Sequence, residues 1–189
     1  MTTLIGLSGS LRQASFNSAL LRAAVELMPA GVELRIGSIR GIPLYDGDLE
    51  AAEGVPAAVQ SLKDSIAAAD GLLFVTPEYN NSMPGVTKNA VDWLSRPAAD
   101  IPRVFGGKPI GLMGASPGGF GTILSQNAWL PVFRTLGARL WTEGRLMVPR
   151  AQAVFAADGS LSDPKLRASL SNLLQGFADF VRSSARPHA

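Results

Sequence analysis

The sequence contains no cysteine and only one histidine. Without cysteine there are no disulfides, no thiolate metal ligands and no cysteine nucleophile. The single histidine, His188, lies next to the C-terminus, where chains are usually poorly ordered, so we expect no catalytic role for it. Hydrolytic triads that use a histidine base are therefore excluded as well.

The charge is small and evenly spread. There are 17 Lys and Arg against 15 Asp and Glu, a formal net charge of +2, and the basic residues form no cluster. Nucleic-acid-binding proteins concentrate basic residues on one face or segment. No apolar run reaches the roughly 20 residues of a membrane-spanning helix, and the sequence does not open on a secretion-signal pattern. We expect a cytoplasmic protein with no nucleic-acid or membrane partner.

What the sequence does contain is an alternation of short apolar segments and longer amphipathic ones. Its 189 residues, 47% of them hydrophobic, fit one domain with a sizeable core. Apolar runs of strand length predict buried strands at 3–7, 71–76 and 109–114. The alternation at 32–36 predicts an edge strand, and a last strand region spans 139–148.

Helical periodicity fills the intervals between the strands. It marks five segments, 17–28, 55–69, 84–94, 122–136 and 166–177. Pro131 interrupts the fourth, where it removes a backbone hydrogen bond, so we expect a kink or break there. Residues 38–54 are predicted to form a loop, and the domain is expected to span 1–182, followed by a disordered tail at 183–189.

Strands that alternate with helices predict an α/β fold with a parallel sheet and helices on both faces. We predict a doubly wound five-stranded sheet in the order 2-1-3-4-5. Such sheets bind ligands beyond the carboxyl ends of their strands, where the strand order reverses. The unusual loops after the first, third and fourth strands would meet there and form one site.

The loop after the first strand is rich in glycine and hydroxyl side chains. Glycines allow a sharp turn, and amides and hydroxyls at a helix start can bind a phosphate, to which Arg12 adds a fixed charge. The glycine spacing matches neither the dinucleotide fingerprint nor the nucleotide-triphosphate loop. An ordinary strand-to-helix turn capped by Ser or Asn remains the structural alternative.

The loops after the third and fourth strands suit a flat ring. Backbone amides after Pro77, the Asn80 amide and the Tyr79 ring can contact a planar heterocycle, and Ser116 with the glycines from Gly118 permits close backbone approach. A phosphate cradle beside a ring platform predicts flavin mononucleotide (FMN) rather than a dinucleotide, which needs a second phosphate-binding region. We assign no catalytic side chain and no metal ligand, because a flavin brings its own chemistry.

The motifs Gly9-Ser10-Leu11-Arg12, Pro77-Glu78-Tyr79-Asn80, Asn89-Ala90-Val91-Asp92-Trp93-Leu94 and Ala115-Ser116-Pro117-Gly118-Gly119 occur in this order. Together they resemble the NADPH-dependent FMN reductase family of flavodoxin-like proteins, which includes quinone, chromate and azo-dye reductases. The resemblance implies NADPH or NADH as co-substrate, a quinone, chromate, an azo compound or free flavin as acceptor, and a homodimer or homotetramer.

The resemblance also implies which residues bind FMN. The phosphate residues would be Ser10, Arg12, Ser15, Asn17 and Ser18. The ribityl chain and ring would lie on Pro77, Glu78, Tyr79, Asn80, Asn81 and Ser82. Ser116 and Gly118 would line the other side of the cofactor.

Some alternatives remain open at this stage. Glu78 is either a general acid or, by our preference, a hydrogen-bond acceptor. Phe120, Trp129 and Trp141 are interpreted as core or subunit-interface residues. For the whole chain, the alternatives are an FMN electron carrier that does not oxidise nicotinamide and a flavin-free binding domain. Carriers tend to be acidic, whereas the sequence pI is about 9.3.

Overall fold

The computed structural model describes residues 1–184. Five parallel strands form one sheet in the order β2-β1-β3-β4-β5, which confirms the predicted flavodoxin-like arrangement. The strands are β1 (Thr2–Ser8), β2 (Val32–Gly37), β3 (Gly71–Val75), β4 (Pro109–Ala115) and β5 (Arg139–Val148). The helices are α1 (Phe16–Glu26), α2 (Gly47–Glu53), α3 (Ala57–Ala68), α4 (Gly85–Leu94), α5 (Ile101–Val104), α6 (Ile123–Thr135) and α7 (Pro164–Ser184).

The sheet separates two apolar cores. Helices α1 and α7 cover one face and pack on residues such as Leu4, Leu73 and Val75. Helices α3, α4, α5 and α6 cover the other face, where Leu72 and Phe74 lie. Because successive strand residues point to opposite faces, β3 contributes to both cores and is buried along its whole length. Only Leu34 is buried in β2, as expected for an edge strand.

Two expectations about the chain need correction. Residues 38–54 are not entirely loop, because they contain α2; none of its residues is buried, so no apolar periodicity marked it. The break expected at Pro131 is absent, since α6 continues through it. Pro131 and Asn127 are both exposed, and because proline has no N–H, Pro131 cannot donate to the Asn127 carbonyl.

The two halves of the last strand region form one strand, β5, with an irregularity inside it. Ile110 pairs with Leu140 and Leu112 pairs with Arg145, so residues 141–144 oppose Gly111 alone. Such a bulge bends the strand. Here it places Trp141 over α7, against Phe177.

The C-terminal helix extends slightly beyond the expected domain end. Helix α7 includes Ser183 and Ser184, so the boundary expected at residue 182 falls inside the helix. The rest of the tail expected at 183–189, including His188, lies outside the described residues. Within residues 1–184, none of the helices is long and apolar enough to cross a membrane.

Candidate functional site

Three loops meet at the carboxyl edge of the sheet. Loop 1 (residues 9–15), loop 2 (residues 76–84) and loop 3 (residues 116–122) follow β1, β3 and β4, which are neighbours in the sheet. Gly9 N donates to Val75 O at 2.8 Å, and Thr76 N donates to Met113 O at 2.9 Å. These bonds continue the strand pairing into the loops, so all of them border one site.

Loop 1 approaches the start of α4 so closely that only glycine fits at position 9. A Cβ on Gly9 would lie 2.7 Å from Thr87 Oγ1 and 2.8 Å from Pro77 Cδ. Thr87 Oγ1 also donates to Gly9 O at 2.8 Å. The close approach fixes loop 1 against loop 2 and sets the distance between the two predicted parts of the site.

The end of loop 1 forms the start of α1. Ser15 occupies the N-cap position, and its hydroxyl accepts hydrogen bonds from Asn17 N at 3.2 Å and Ser18 N at 3.4 Å. Ser10 Oγ accepts from Arg12 N at 3.3 Å. Amides and hydroxyls therefore converge at a helix N-terminus, the arrangement that favours a bound anion.

Arg12 supplies the charge of this cradle. Its side chain is exposed, and the one contact found for it is a weak donation to Ala14 O at 3.4 Å. No carboxylate of residues 1–184 forms an ion pair with Arg12. The guanidinium is thus available for a ligand.

The side chain of Asn17, which was predicted to bind the FMN phosphate, instead contacts the backbone of β4. The side chain is buried; its Nδ2 donates to Ala115 O at 2.8 Å, and its Oδ1 accepts from Ala115 N at 2.9 Å. The amide therefore joins the start of α1 to the end of β4. What remains for an anion is the backbone N–H of Asn17. Ser18 is similarly engaged, with its hydroxyl 2.9 Å from Ser8 Oγ.

Loop 2 contains a tight turn exposed to solvent. Tyr79 and Ser82 exchange two backbone hydrogen bonds of 3.0 Å. Between them Asn80 (φ 50°) and Asn81 (φ 61°) adopt left-handed conformations, which asparagine tolerates better than most residues. The Tyr79 ring is 44% exposed, and its hydroxyl lies 3.5 Å from Ser10 Oγ. An aromatic surface is therefore presented beside the cradle.

Glu78 joins loop 2 to the helix that follows loop 3. Its Oε2 accepts hydrogen bonds from Leu124 N at 2.9 Å and Ser125 N at 3.1 Å. Thr122, at the N-cap position of α6, makes no capping bond with its own side chain. The Glu78 carboxylate satisfies the free amides instead. This geometry favours the acceptor interpretation of Glu78 over the general acid.

A buried polar group beneath Glu78 strengthens the same junction. Thr76 Oγ1 lies 2.8 Å from Ser125 Oγ and accepts from Trp129 Nε1 at 3.0 Å. Trp129 is completely buried, as expected of a core residue. The sequence analysis missed Thr76 and Ser125, because nothing in the sequence relates positions 49 residues apart.

Loop 3 is anchored at its base and open at its tip. Buried Ser116 donates from its hydroxyl to Gly121 O, and its backbone N donates to Val148 O at 3.0 Å. By contrast, a Cβ on Gly119 would meet no atom within 4 Å. Phe120 is 81% exposed, which rules out the core alternative for it and leaves the predicted subunit-interface role untested. The tip presents backbone and one aromatic ring.

Two further arginines, which the sequence analysis missed, border the cradle. Arg22 and Arg40 line a cavity of about 260 Å³ together with Ser10, Arg12 and Ser18. Arg40 donates to Leu11 O at 2.7 Å. The place of Arg40 could have been predicted from the strand order, since that order puts the loop after β2 beside loop 1. Likewise, Arg22 lies one helical turn after Ser18.

A charged group joins the segment after β2 to the residues that follow α4. Glu50 Oε2 accepts from Arg96 Nε at 2.8 Å and from the Tyr45 hydroxyl at 2.9 Å. The hydrogen bond from Arg96 lowers the pKa of Glu50, and the bond to Glu50 raises the pKa of Tyr45. The arrangement fixes the loop that carries Arg40.

The donor set fits FMN. The cradle offers amides, hydroxyls and an unpaired guanidinium for a phosphate, while loops 2 and 3 offer exposed backbone and aromatic surface for a ring. Open space at Gly119 leaves room for close approach. Among residues 1–184, no group of His, Cys, Asp and Glu side chains is arranged to hold a metal ion.

Comparisons with known proteins agree with this geometry. An NAD(P)H-dependent FMN reductase of Pseudomonas aeruginosa is 44% identical over 179 residues, 95% of each chain. A 2-hydroxy-1,4-benzoquinone reductase of a Burkholderia species is 38% identical, over 92% of this chain and 93% of the relative. The solved structure of FerB, a flavoenzyme NAD(P)H:(acceptor) oxidoreductase from Paracoccus denitrificans, superimposes with a TM-score of 0.86 at 33% identity, over 97% of this chain and 99% of FerB.

The model of one family accounts for most of the described chain. It matches residues 2–153, which include all of loops 1, 2 and 3, and its description is NADPH-dependent FMN reductase. A match of this extent, together with relatives aligned over nearly their whole length, assigns the fold, the FMN cofactor, the nicotinamide co-substrate and oxidoreductase activity. The chain belongs to the NADPH-dependent FMN reductase family.

Proposed function

We propose that this protein transfers a hydride from NADPH or NADH to FMN held across loops 1, 2 and 3, and then reduces a quinone. The observation that carries the proposal is the convergence at one sheet edge of an unpaired arginine, a helix N-terminus and an exposed turn. FMN has a phosphate at one end and a flat ring at the other. The two ends of this site match those two groups.

At the phosphate end, Arg12 and the start of α1 supply the binding energy. A hydrogen bond to a charged group contributes about 1.5–3 kcal/mol, and a helix N-terminus adds about 0.3–1 kcal/mol. Ser10, Ser15 and Ser18 provide hydroxyl donors, and Asn17 contributes its backbone N–H. The bonds that Asn17 N and Ser18 N make to Ser15 are long, at 3.2 and 3.4 Å, so these amides can also donate to a phosphate oxygen beyond the helix start.

At the ring end, we assign the platform to loops 2 and 3. Pro77 is buried and holds the start of loop 2, while Tyr79, Asn80, Asn81 and Ser82 are exposed at the site. Glu78 maintains the spacing between the two loops through α6. Ser116 and Gly118 form the opposite wall, where the lack of a side chain at Gly118 allows backbone contact with a ring.

Bound FMN supplies the redox chemistry, accepting a hydride from the nicotinamide and passing two electrons to the acceptor. The protein's own part is to bind and orient. Glu78 is occupied by backbone amides, and we assign no protein acid to hydride transfer. Because the ring face between Tyr79 and Phe120 serves both substrates, the oxidised nicotinamide leaves before the acceptor binds, which gives ping-pong kinetics.

We propose a quinone as acceptor because the Burkholderia relative, 38% identical, is named a benzoquinone reductase. A quinone is flat and suits an open ring face flanked by Tyr79 and the exposed Phe120. Chromate, azo compounds and free flavin are further acceptors to compare. We also propose a homodimer or homotetramer, on the family resemblance, and a cytoplasmic location.

An anaerobic spectroscopic titration tests the proposal. The protein, purified or loaded with FMN, should show a bound-flavin spectrum that bleaches when NADPH or NADH is added. Addition of 1,4-benzoquinone should then restore the oxidised spectrum. Absence of a bound flavin would refute the site. Bound flavin that neither nicotinamide reduces would instead identify an electron carrier.

A further inference from the structure

The cavity beside the cradle has an unusual concentration of positive charge. We call it the arginine pocket; Arg12, Arg22 and Arg40 line its volume of about 260 Å³. Its lining comes from the ends of β1 and β2, loop 1, α1 and the loop after β2, and it includes no Asp or Glu. No residue of loop 2 or loop 3 contributes to it.

These arginines form no ion pair within residues 1–184, although Arg22 also lines a neighbouring cavity with Glu26 and Asp158. By contrast, Arg35 and Arg96 each form an ion pair with a carboxylate. A phosphate monoester carries a charge of about −1.5 to −2 at neutral pH. Three guanidinium groups and the positive end of α1 exceed that charge. The pocket therefore has positive charge left over once a flavin phosphate is in place.

The position of the pocket limits what the surplus charge can bind. In the sheet, β2 and β3 lie on opposite sides of β1. The arginine pocket lies on the β2 side of loop 1, and the proposed ring platform lies on the β3 and β4 side. A group bound in the pocket would therefore lie on the side of the flavin phosphate opposite to the ring.

We propose that Arg22 and Arg40 bind a second phosphoryl group next to the flavin phosphate. The proposal rests on the proposed function in one respect, namely that the cradle of loop 1 holds the flavin phosphate. Arg40 is held in place by its bond to Leu11 O at 2.7 Å and by the bond of its backbone N to Ser38 Oγ at 3.1 Å. Its remaining guanidinium N–H groups are free to donate. Arg22 lines the pocket from α1, with its Nη2 beside Gly159, where a Cβ would lie 3.2 Å from it, so it must turn from Gly159 to reach a phosphoryl group.

Two ligands carry a suitable second phosphoryl group. In flavin adenine dinucleotide (FAD) it is attached directly to the flavin phosphate, as the position of the pocket favours. In NADPH it is the 2′-phosphate of the adenosine. The chemistry recognised is the same, and guanidinium groups are well matched to phosphate in both cases.

Binding titrations distinguish the two sources. Dissociation constants of the FMN-free protein are measured for FMN and FAD, and those of the FMN-loaded protein for NADP⁺ and NAD⁺, all at one ionic strength. The variants are Arg40→Gln and the double variant Arg22→Gln, Arg40→Gln. Arg35→Gln is the matched control, because it removes the same charge from an exposed residue of β2 that lies outside the pocket.

The proposal expects a selective loss. Arg40→Gln should raise the ratio of the FAD and FMN dissociation constants about tenfold if FAD supplies the phosphoryl group, or the ratio for NADP⁺ and NAD⁺ by the same factor if NADPH does. The double variant should raise that ratio further, and Arg35→Gln should leave both ratios unchanged. Unchanged ratios in the double variant would overturn the proposal while FMN binding by the parent protein upholds the cradle. Failure of the parent protein to bind FMN would overturn both.

Discussion

Loop 1 and the pair formed by loops 2 and 3 border the same site but use their polar side chains differently. In loop 1, Arg12 is exposed and makes one weak contact to the backbone. In the pair, Glu78 and Ser116 are both committed to backbone groups of the protein itself. The Arg12 side chain of loop 1 is thus available to a ligand, whereas Glu78 and Ser116 stabilise the conformation of loops 2 and 3.

If FMN binds as proposed, the difference corresponds to two ways of binding one cofactor. A phosphate is recognised by charge and donors, which must be unpaired before the ligand arrives. A ring is recognised by a fixed surface, which must be rigid before the ligand arrives. Substitutions in loop 1 should therefore change affinity for the phosphate, and substitutions in the pair should change the stability of the fold together with affinity for the ring.

The largest effect is expected for Asn17, which lies just after loop 1, in the first turn of α1, but bonds to Ala115, just before loop 3. Asn17→Ala leaves the buried N–H and C=O of Ala115 without partners, and each unsatisfied group costs about 1–3 kcal/mol. We expect the free energy of unfolding of the FMN-free protein to fall by about 3 kcal/mol in urea denaturation. Exposed Gln13→Ala is the control, with a change below about 0.5 kcal/mol. A loss below about 1 kcal/mol in Asn17→Ala would show that the Ala115 bonds matter little.

A smaller effect is expected where loop 2 meets α6. Glu78→Gln keeps an acceptor oxygen but removes the negative charge from the helix N-terminus, so the free energy of unfolding should fall by about 1 kcal/mol. Because the variant loosens the platform and leaves the cradle intact, FMN and riboflavin should lose affinity by the same factor. Exposed Glu143→Gln should change neither quantity. If Glu78→Gln weakened FMN binding but not riboflavin binding, Glu78 would act on the phosphate, which would contradict the proposed division of roles between the loops.

The smallest effect is expected for the contact between loops 1 and 2. Tyr79→Phe removes a hydroxyl that lies 3.5 Å from Ser10 Oγ, at the long limit for a hydrogen bond. The free energy of unfolding should change by less than about 0.5 kcal/mol, and the affinity for FMN by less than about twofold. Fluorescence titration and urea denaturation measure the two quantities. A tenfold loss of affinity would show that the hydroxyl contacts the cofactor.

The sequence predicted most of the fold because the relevant signals are local. Buried parallel strands such as β3 read as continuous apolar runs, and α4 follows a proline and has helical periodicity. The errors have equally local causes. Helix α2 has no fully buried residue, so its seven residues carry no apolar pattern, and Pro131 is exposed on α6.

The site was predictable only in part, because its chemistry depends on contacts across the fold. The residue types in loop 1 indicate an anion, and the strand order indicates which loops meet. No sequence pattern shows that Asn17 faces Ala115, 98 residues away, or that Glu78 caps α6. Arg40 differs, because the predicted strand order already places the loop after β2 beside loop 1, where Arg40 contacts Leu11.

The comparison of the loops is tested most directly by removing the charge of loop 1 and varying the ligand. Dissociation constants for FMN and for riboflavin, which lacks the phosphate, are measured for the parent protein and for Arg12→Gln. The account predicts that FMN binding weakens about 10-fold to 100-fold, since a charged hydrogen bond contributes about 1.5–3 kcal/mol. Riboflavin binding and the free energy of unfolding should stay unchanged. Equal losses for the two ligands, or an unchanged affinity for FMN, would contradict the account.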